Sequence, residues 1–192
     1  MKKVILFIIL VGAISPLSLQ ALEISIEIDI SGVVYLSDET TLATSGNGGP
    51  CDGSTAVISL RVNGGTEFTT TCSNTDASYS FASVSVNPGD TITLYLNSAS
   101  SSKANTITIT DGSTNITDMD LMVDHIILRS DNSTNPITIA DLVDYDNDQD
   151  ATNMLFDADL GTPNTLITEN YKELYINSGD TFMGILDFIN NS

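Results

Sequence analysis

Asp144 to Asp157, "DYDNDQDATNMLFD", holds five aspartates. Counted from Asp146, four of them fall at positions 1, 3, 5 and 12: Asp146, Asp148, Asp150 and Asp157. A calcium loop of the EF-hand kind takes oxygen ligands at alternate positions and ends on a carboxylate at about the twelfth. Ala151 stands where such a loop has its turn-making glycine, and Asp157 is shorter than the usual bidentate glutamate. Met154–Phe156 reads as strand, so no second helix is expected. Asp144 and Asp146 follow a short helix whose C-terminal dipole is already negative, and a cation would offset their charge there. The competing reading is a solvated turn, which so acidic a chain makes by composition alone. Asp144, Asp146, Asp148, Asp150 and Asp157 are thus the candidate metal ligands, and Ca2+ the candidate ion.

Other chemistry is sparse. Cys51 and Cys72 are the two cysteines, and an even count in an exported chain reads as one disulfide. With the single histidine far away at His125, they make a poor zinc site. The sequence has no Gly-x-Ser-x-Gly elbow, no His-Glu-x-x-His and no glycine-rich phosphate loop. His125 lies in "VDHIIL" and is expected to be a structural, hydrogen-bonded histidine. Carboxylates are too many for any one pair to indicate glycoside cleavage. The chain has no tryptophan, and of its tyrosines only Tyr145 and Tyr171 lie outside strand patterns, where they could face a sugar.

The elements around these residues begin with a leader. Lys2 and Lys3 precede an apolar run from Val4 to Ile14, too short for a bilayer span of about twenty residues. Residues 1–21 are expected to be a Sec signal peptide, with Ala21 the last residue removed. No cysteine follows the run for lipid attachment, and "FMGILDFINNS" near the C-terminus is neither long enough to span nor followed by a basic tail. The expected location is therefore secreted or cell-surface, with no membrane span in the mature chain. Net charge is −19 and the leader carries two of the six basic residues, so the mature chain is more acidic still. Such a surface is repelled by phosphate, which excludes nucleic acid as a partner.

Residues 22–118 read as an antiparallel β-sandwich. "EISIEIDI" alternates isoleucine with polar residues at period two. "VVYL", "AVISLRV", "TEFTTTC", "SYSFASVSV", "TITLYL" and "NTITIT" follow, separated by turns such as "NGG" and "NPGD". Residues 119–192 form a smaller β-rich unit. "DLMVDHIILR" is one strand, or two broken near Asp124. Thr138 and Asp141 make a capping box for a short helix ending near Tyr145, with Ile137 and Leu142 as its hydrophobic staple. "MLF", "TLI" and "ELYI" read as further strands, and "NSGDTFMGILDF" as one more.

Gly32–Val33, the "Tyr-x-Phe" of Tyr79–Phe81 and the "Pro-Gly-Asp" of Pro88–Asp90 resemble the pattern of transthyretin-like sandwich modules of bacterial surface proteins. These include the carboxypeptidase-regulatory-like and collagen-adhesin B-type repeats. The resemblance covers roughly residues 31–110 and implies a structural or adhesive role. Asp76–Ser78 replaces the glycine usual before "Tyr-x-Phe". The mature chain's lysines are Lys103 and Lys172, with none on the first strand, so the isopeptide bond of some such repeats is not carried over. The Cys51–Cys72 pair could staple the module instead. The second half is similar to segments that follow such sandwiches in large secreted repeat proteins.

The expected function is a secreted, non-catalytic structural or adhesive module, with calcium as a stabiliser and an extracellular protein or glycan surface as partner. The rival is a carbohydrate-binding module.

Overall fold

The computed structural model describes residues 26–97, 102–132, 135–146, 153–161, 165–169, 173–176, 182–183 and 185–189. The chain is mainly β, with one short α-helix among the described residues. In the first sheet β1 (Ile26–Tyr35) lies between β4 (Ser78–Val86), antiparallel to it, and the short β7 (Leu121–Met122), parallel to it. The second sheet has six strands. Its order is β12 (Glu173–Ile176), β8 (His125–Asp131), β6 (Asn105–Thr110), β5 (Thr91–Leu96), β2 (Ala56–Val62) and β3 (Phe68–Thr71).

Every pairing among β1 to β6 is antiparallel, as the hairpin spacing predicts. The "NGG" turn has Asn63 at φ 48 and Gly64 at φ 63, the left-handed pair that a tight hairpin needs. The sheet then continues in parallel: β8 adds to β6 and β12 to β8. Strands from both halves of the chain therefore share it. "DLMVDHIILR" is two strands, broken at Asp124, whose φ is 66.

The sandwich core lies between the two sheets. Ile28, Ile30 and Val34 of β1 and Tyr79, Phe81, Val84 and Val86 of β4 meet Ile58 and Leu60 of β2 and Ile92, Leu94 and Leu96 of β5. Strict alternation along β4 would put Ser83 and Ser85 on the face of Tyr79 and Phe81. The register slips instead between Ile28 and Ile30, with Ser83 at φ 55, and Val84 and Val86 turn inward. The Asp29 carboxylate accepts the Ser83 N–H at 3.1 Å and holds that bulge. Ile26, beyond it, stays exposed.

The six-stranded sheet is covered on its other face too. β9 (Ile137–Thr138), α1 (Ile139–Leu142) and β10 (Phe156–Asp159) lead into β11 (Thr165–Glu169), which pairs with β10 and, in parallel, with β14 (Ile185–Ile189). β13 (Phe182–Met183) pairs with β9. Ile139, Leu142, Met154, Phe156 and Leu166 from this layer pack with Tyr95, Ile107, Ile109, Ile126 and Leu128 of the sheet. Every residue of β5 and β6 is consequently buried. Their threonines are inside rather than on a wet face. Thr108 donates its hydroxyl to Asp131 at 2.7 Å, and Thr106 donates to the Asp120 carbonyl. At α1 the Asp141 carboxylate accepts both the N–H and the hydroxyl of Thr138, each at 2.7 Å.

Candidate functional site

Of the candidate metal ligands, Asp144, Asp146 and Asp157 lie among the described residues, and Asp148 and Asp150 lie outside them. Asp146 is fully buried, and its Oδ2 accepts the Ala158 N–H at 3.3 Å. Asp157 is half-buried on β10, opposite Ile167 of β11. Asp144 is the exposed member, yet local burial first, and the Asp141 charge second, raise its carboxyl above the usual range. The helix-dipole expectation is corrected by length: α1 is a single turn, too short to present much of a negative end. Among the described residues no three His, Cys, Asp or Glu side chains gather as a metal-binding group.

What positions this segment is a contact that composition does not announce. A Cβ at Gly64 would lie 2.1 Å from the Asp144 carbonyl oxygen, so only glycine lets the β2–β3 hairpin seat against the chain leaving α1. Beside it, Tyr145 is buried, which corrects the expectation that it faces a ligand. Its ring lies 5.3 Å from that of Tyr95, and the Arg61 guanidinium sits 4.6 Å over its centre. The Tyr95 hydroxyl donates to Glu67 at 2.7 Å and lies 3.2 Å from that of Tyr145. Ser59 is the largest influence holding Glu67 below the usual carboxylate range, although its hydroxyl stops short of full hydrogen-bond geometry. The cluster locks the C-terminal layer to the sheet. Tyr171, the other candidate sugar platform, lies outside the described residues.

Three of the loop carboxylates share one design. In "DETT" (Asp38–Thr41), "DGST" (Asp52–Thr55) and "DGST" (Asp111–Thr114), one aspartate oxygen accepts the N–H groups two and three residues on. The other oxygen accepts the hydroxyl of the closing threonine. The second residue is left-handed in all three: Glu39 at φ 65, Gly53 at φ 76 and Gly112 at φ 74. These donors hold Asp111 down to about 2 and lower Asp38, the closing threonine's hydroxyl most strongly in both, and they lower Asp52 through the Thr55 N–H first. Sequence reading passed over the repeat, though the duplicated "DGST" was its signal.

The remaining chemistry-bearing residues lie at one end of the six-stranded sheet. Cys51 and Cys72 are bonded, as the even count predicts, and there is no free cysteine among the described residues. The bond ties the β1–β2 crossover to the end of β3. His125, at the start of β8, is only 2% exposed, and its Nδ1 lies 2.7 Å from the Val123 carbonyl. A carbonyl can only accept, so Nδ1 carries the proton. Nε2 lies 3.5 Å from Glu39 Oε1, which also accepts the Tyr175 hydroxyl at 2.6 Å.

No family model, curated protein or solved structure matches the chain. Among the described residues no helix is long and apolar enough to cross a membrane.

Proposed function

We propose that the protein is an exported, non-catalytic structural or adhesive module of the cell exterior. The observation that carries this reading is the use made of the acidic side chains. Asp38, Asp52, Asp76 and Asp111 each turn a carboxylate back onto their own loop, where it satisfies backbone N–H groups and fixes the turn. Carboxylates used so stiffen a surface rather than converge on a substrate. The Cys51–Cys72 bond supports export, because such bridges persist in oxidising compartments. The sandwich itself agrees with the transthyretin-like resemblance at the level of fold class. A calcium ion held by Asp144, Asp146, Asp148, Asp150 and Asp157 belongs to this reading as a stabiliser. The partner is an extracellular protein or glycan surface.

The test uses labelled mature chain, residues 22–192, on intact cells and on immobilised extracellular proteins and glycans. Saturable retention, with no turnover of chromogenic glycosides or esters, is expected. Saturable turnover, or retention on none of these surfaces, overturns the reading. Retention on glycans alone, abolished by Tyr171→Ala, replaces it with the carbohydrate-module reading.

A further inference from the structure

We propose that β3 is a self-pairing edge, at which two copies of the chain join antiparallel about a two-fold axis and run their six-stranded sheets into one. The first observation is where its backbone points. The Asn97 N–H donates to the Val57 carbonyl and the Asn63 N–H to the Thr91 carbonyl, each at 2.8 Å. The odd residues of β2 therefore serve β5, and its even residues serve β3. Their partners on β3 are Phe68, opposite Leu60, and Thr70, opposite Ile58. Thr69 and Thr71 thus turn N–H and C=O outward, to an edge where no described strand pairs with them. The Thr70 hydroxyl reaches the Thr71 carbonyl only at 3.5 Å and leaves it a lone pair.

The second observation is the side chains. Phe68 is 39% exposed, although it lies on the same face as the buried Leu60, and Thr69 and Thr71 are exposed beside it. Edge strands are commonly blunted by lysine, by proline or by a bulge of their own. β3 has none of these, since the irregularity in its ladder lies on β2, between Ala56 and Ile58. Charge decides the occupant. The net charge is −19, so two copies repel wherever their carboxylates face. Phe68 to Thr75 carries no charge, and Glu67 ahead of it is matched by Arg61 at 3.7 Å. Other described edges are less suited: β4 is broken by the bulge that Asp29 holds at Ser83, and β12 opens on Glu173. Centred on Thr70, the pairing sets Thr69 opposite Thr71 of the second copy. It makes four N–H to C=O bonds and two threonine–threonine pairs, and it covers each Phe68 with the facing strand. It does not rest on the exported-module reading.

Sedimentation velocity and amide exchange, on the purified chain with its disulfide intact, test the pairing. An edge contact of four bonds is weak, with a dissociation constant on the order of 0.1 mM. By mass action the monomer then falls from most of the chain at about 10 µM to about a fifth of it at about 1 mM. Sedimentation should move from monomer toward dimer over that range. Exchange at the Thr69 and Thr71 amides should slow about fourfold, while the Phe68 and Thr70 amides, already bonded to β2, keep their rates. Thr69→Pro removes an outward N–H that β2 does not use, so it should fold and stay monomeric. Thr71→Glu, which sets two carboxylates across the axis, should also stay monomeric. Monomer at both concentrations, a dimer that leaves Thr69 and Thr71 unprotected, or unaltered dimerisation in both variants overturns the pairing. Protection of those two amides by an extracellular protein, with no dimer, overturns it in favour of a foreign strand.

Discussion

Cys51 and Glu39 stand on the same crossover and fix it to opposite edges of the six-stranded sheet. Cys51 is bonded to Cys72, just past β3, and Glu39 accepts a hydrogen bond from Tyr175 on β12. Strand registers put the end of β3 and the starts of β8 and β12 at the same end of the sheet. The crossover therefore closes that end of the sandwich, by a covalent bond on one side and polar contacts on the other.

Removing the covalent side should be costly. The bridge spans a sequence separation of 21, for which the chain-entropy account gives about 3 kcal/mol. Urea unfolding of the Cys51→Ala, Cys72→Ala double variant should show a loss of that order. An unchanged midpoint and slope would mean that the crossover is held without it.

Gly64→Ala and Gly89→Ala separate backbone strain from contact. Both glycines have positive φ, but a Cβ at Gly64 meets the Asp144 carbonyl while one at Gly89 meets nothing within 4 Å. Gly89→Ala should cost about 1 kcal/mol, the left-handed penalty alone. Gly64→Ala should cost clearly more, because the hairpin must move off the chain after α1. Equal losses in chemical denaturation would remove that contact from the account.

The sandwich strands were legible because their apolar residues alternate and their turns carry Asn, Gly and Pro. The bulge at Ser83 was not, since serines and valines on β4 alternate equally well in either register and only Asp29, distant in sequence, decides. The parallel addition of β8 and β12 was equally hidden: a half-buried strand and a fully covered one such as "NTITIT" differ by what packs on top, which is non-local. At the candidate site, the cysteine pair was readable from parity. The Glu39–His125–Tyr175 contact was not, because it joins three separate strands and loops, and neither was the burial of Tyr145 under Arg61.

Acid stability should depend on the turn aspartates. Asp111 is held at about 2 against an ordinary 3.8. A depressed folded-state value contributes stability that is complete above the ordinary value and lost as pH falls through the folded one. For Asp111 that window runs from about pH 4 down to about pH 2. Asp111→Asn should make the fall of the melting temperature across this window shallower, the other turn aspartates supplying the rest, and leave its pH dependence near neutrality unchanged. The same slope in variant and wild type would contradict the assignment.

Calcium should stabilise if the segment from Asp144 to Asp157 binds it. At an extracellular-type affinity of about 0.1–1 mM, 10 mM calcium adds roughly 1.4–2.7 kcal/mol by linkage. The melting temperature should rise by several degrees over an EDTA control, and magnesium should do much less. The Asp146→Asn, Asp148→Asn double variant should lose the rise. An equal rise in that variant, or none in the wild-type chain, returns the segment to an acidic turn.

Export as a stapled module is tested most directly by peptide mapping of the native protein from fractionated producing cells, with alkylation before any reductant. The predicted result is chain recovered outside the cytoplasm, with its N-terminus near residue 22 and the Cys51 and Cys72 peptides cross-linked. Chain recovered from the cytoplasm with residues 1–21 intact and both thiols alkylated would contradict it.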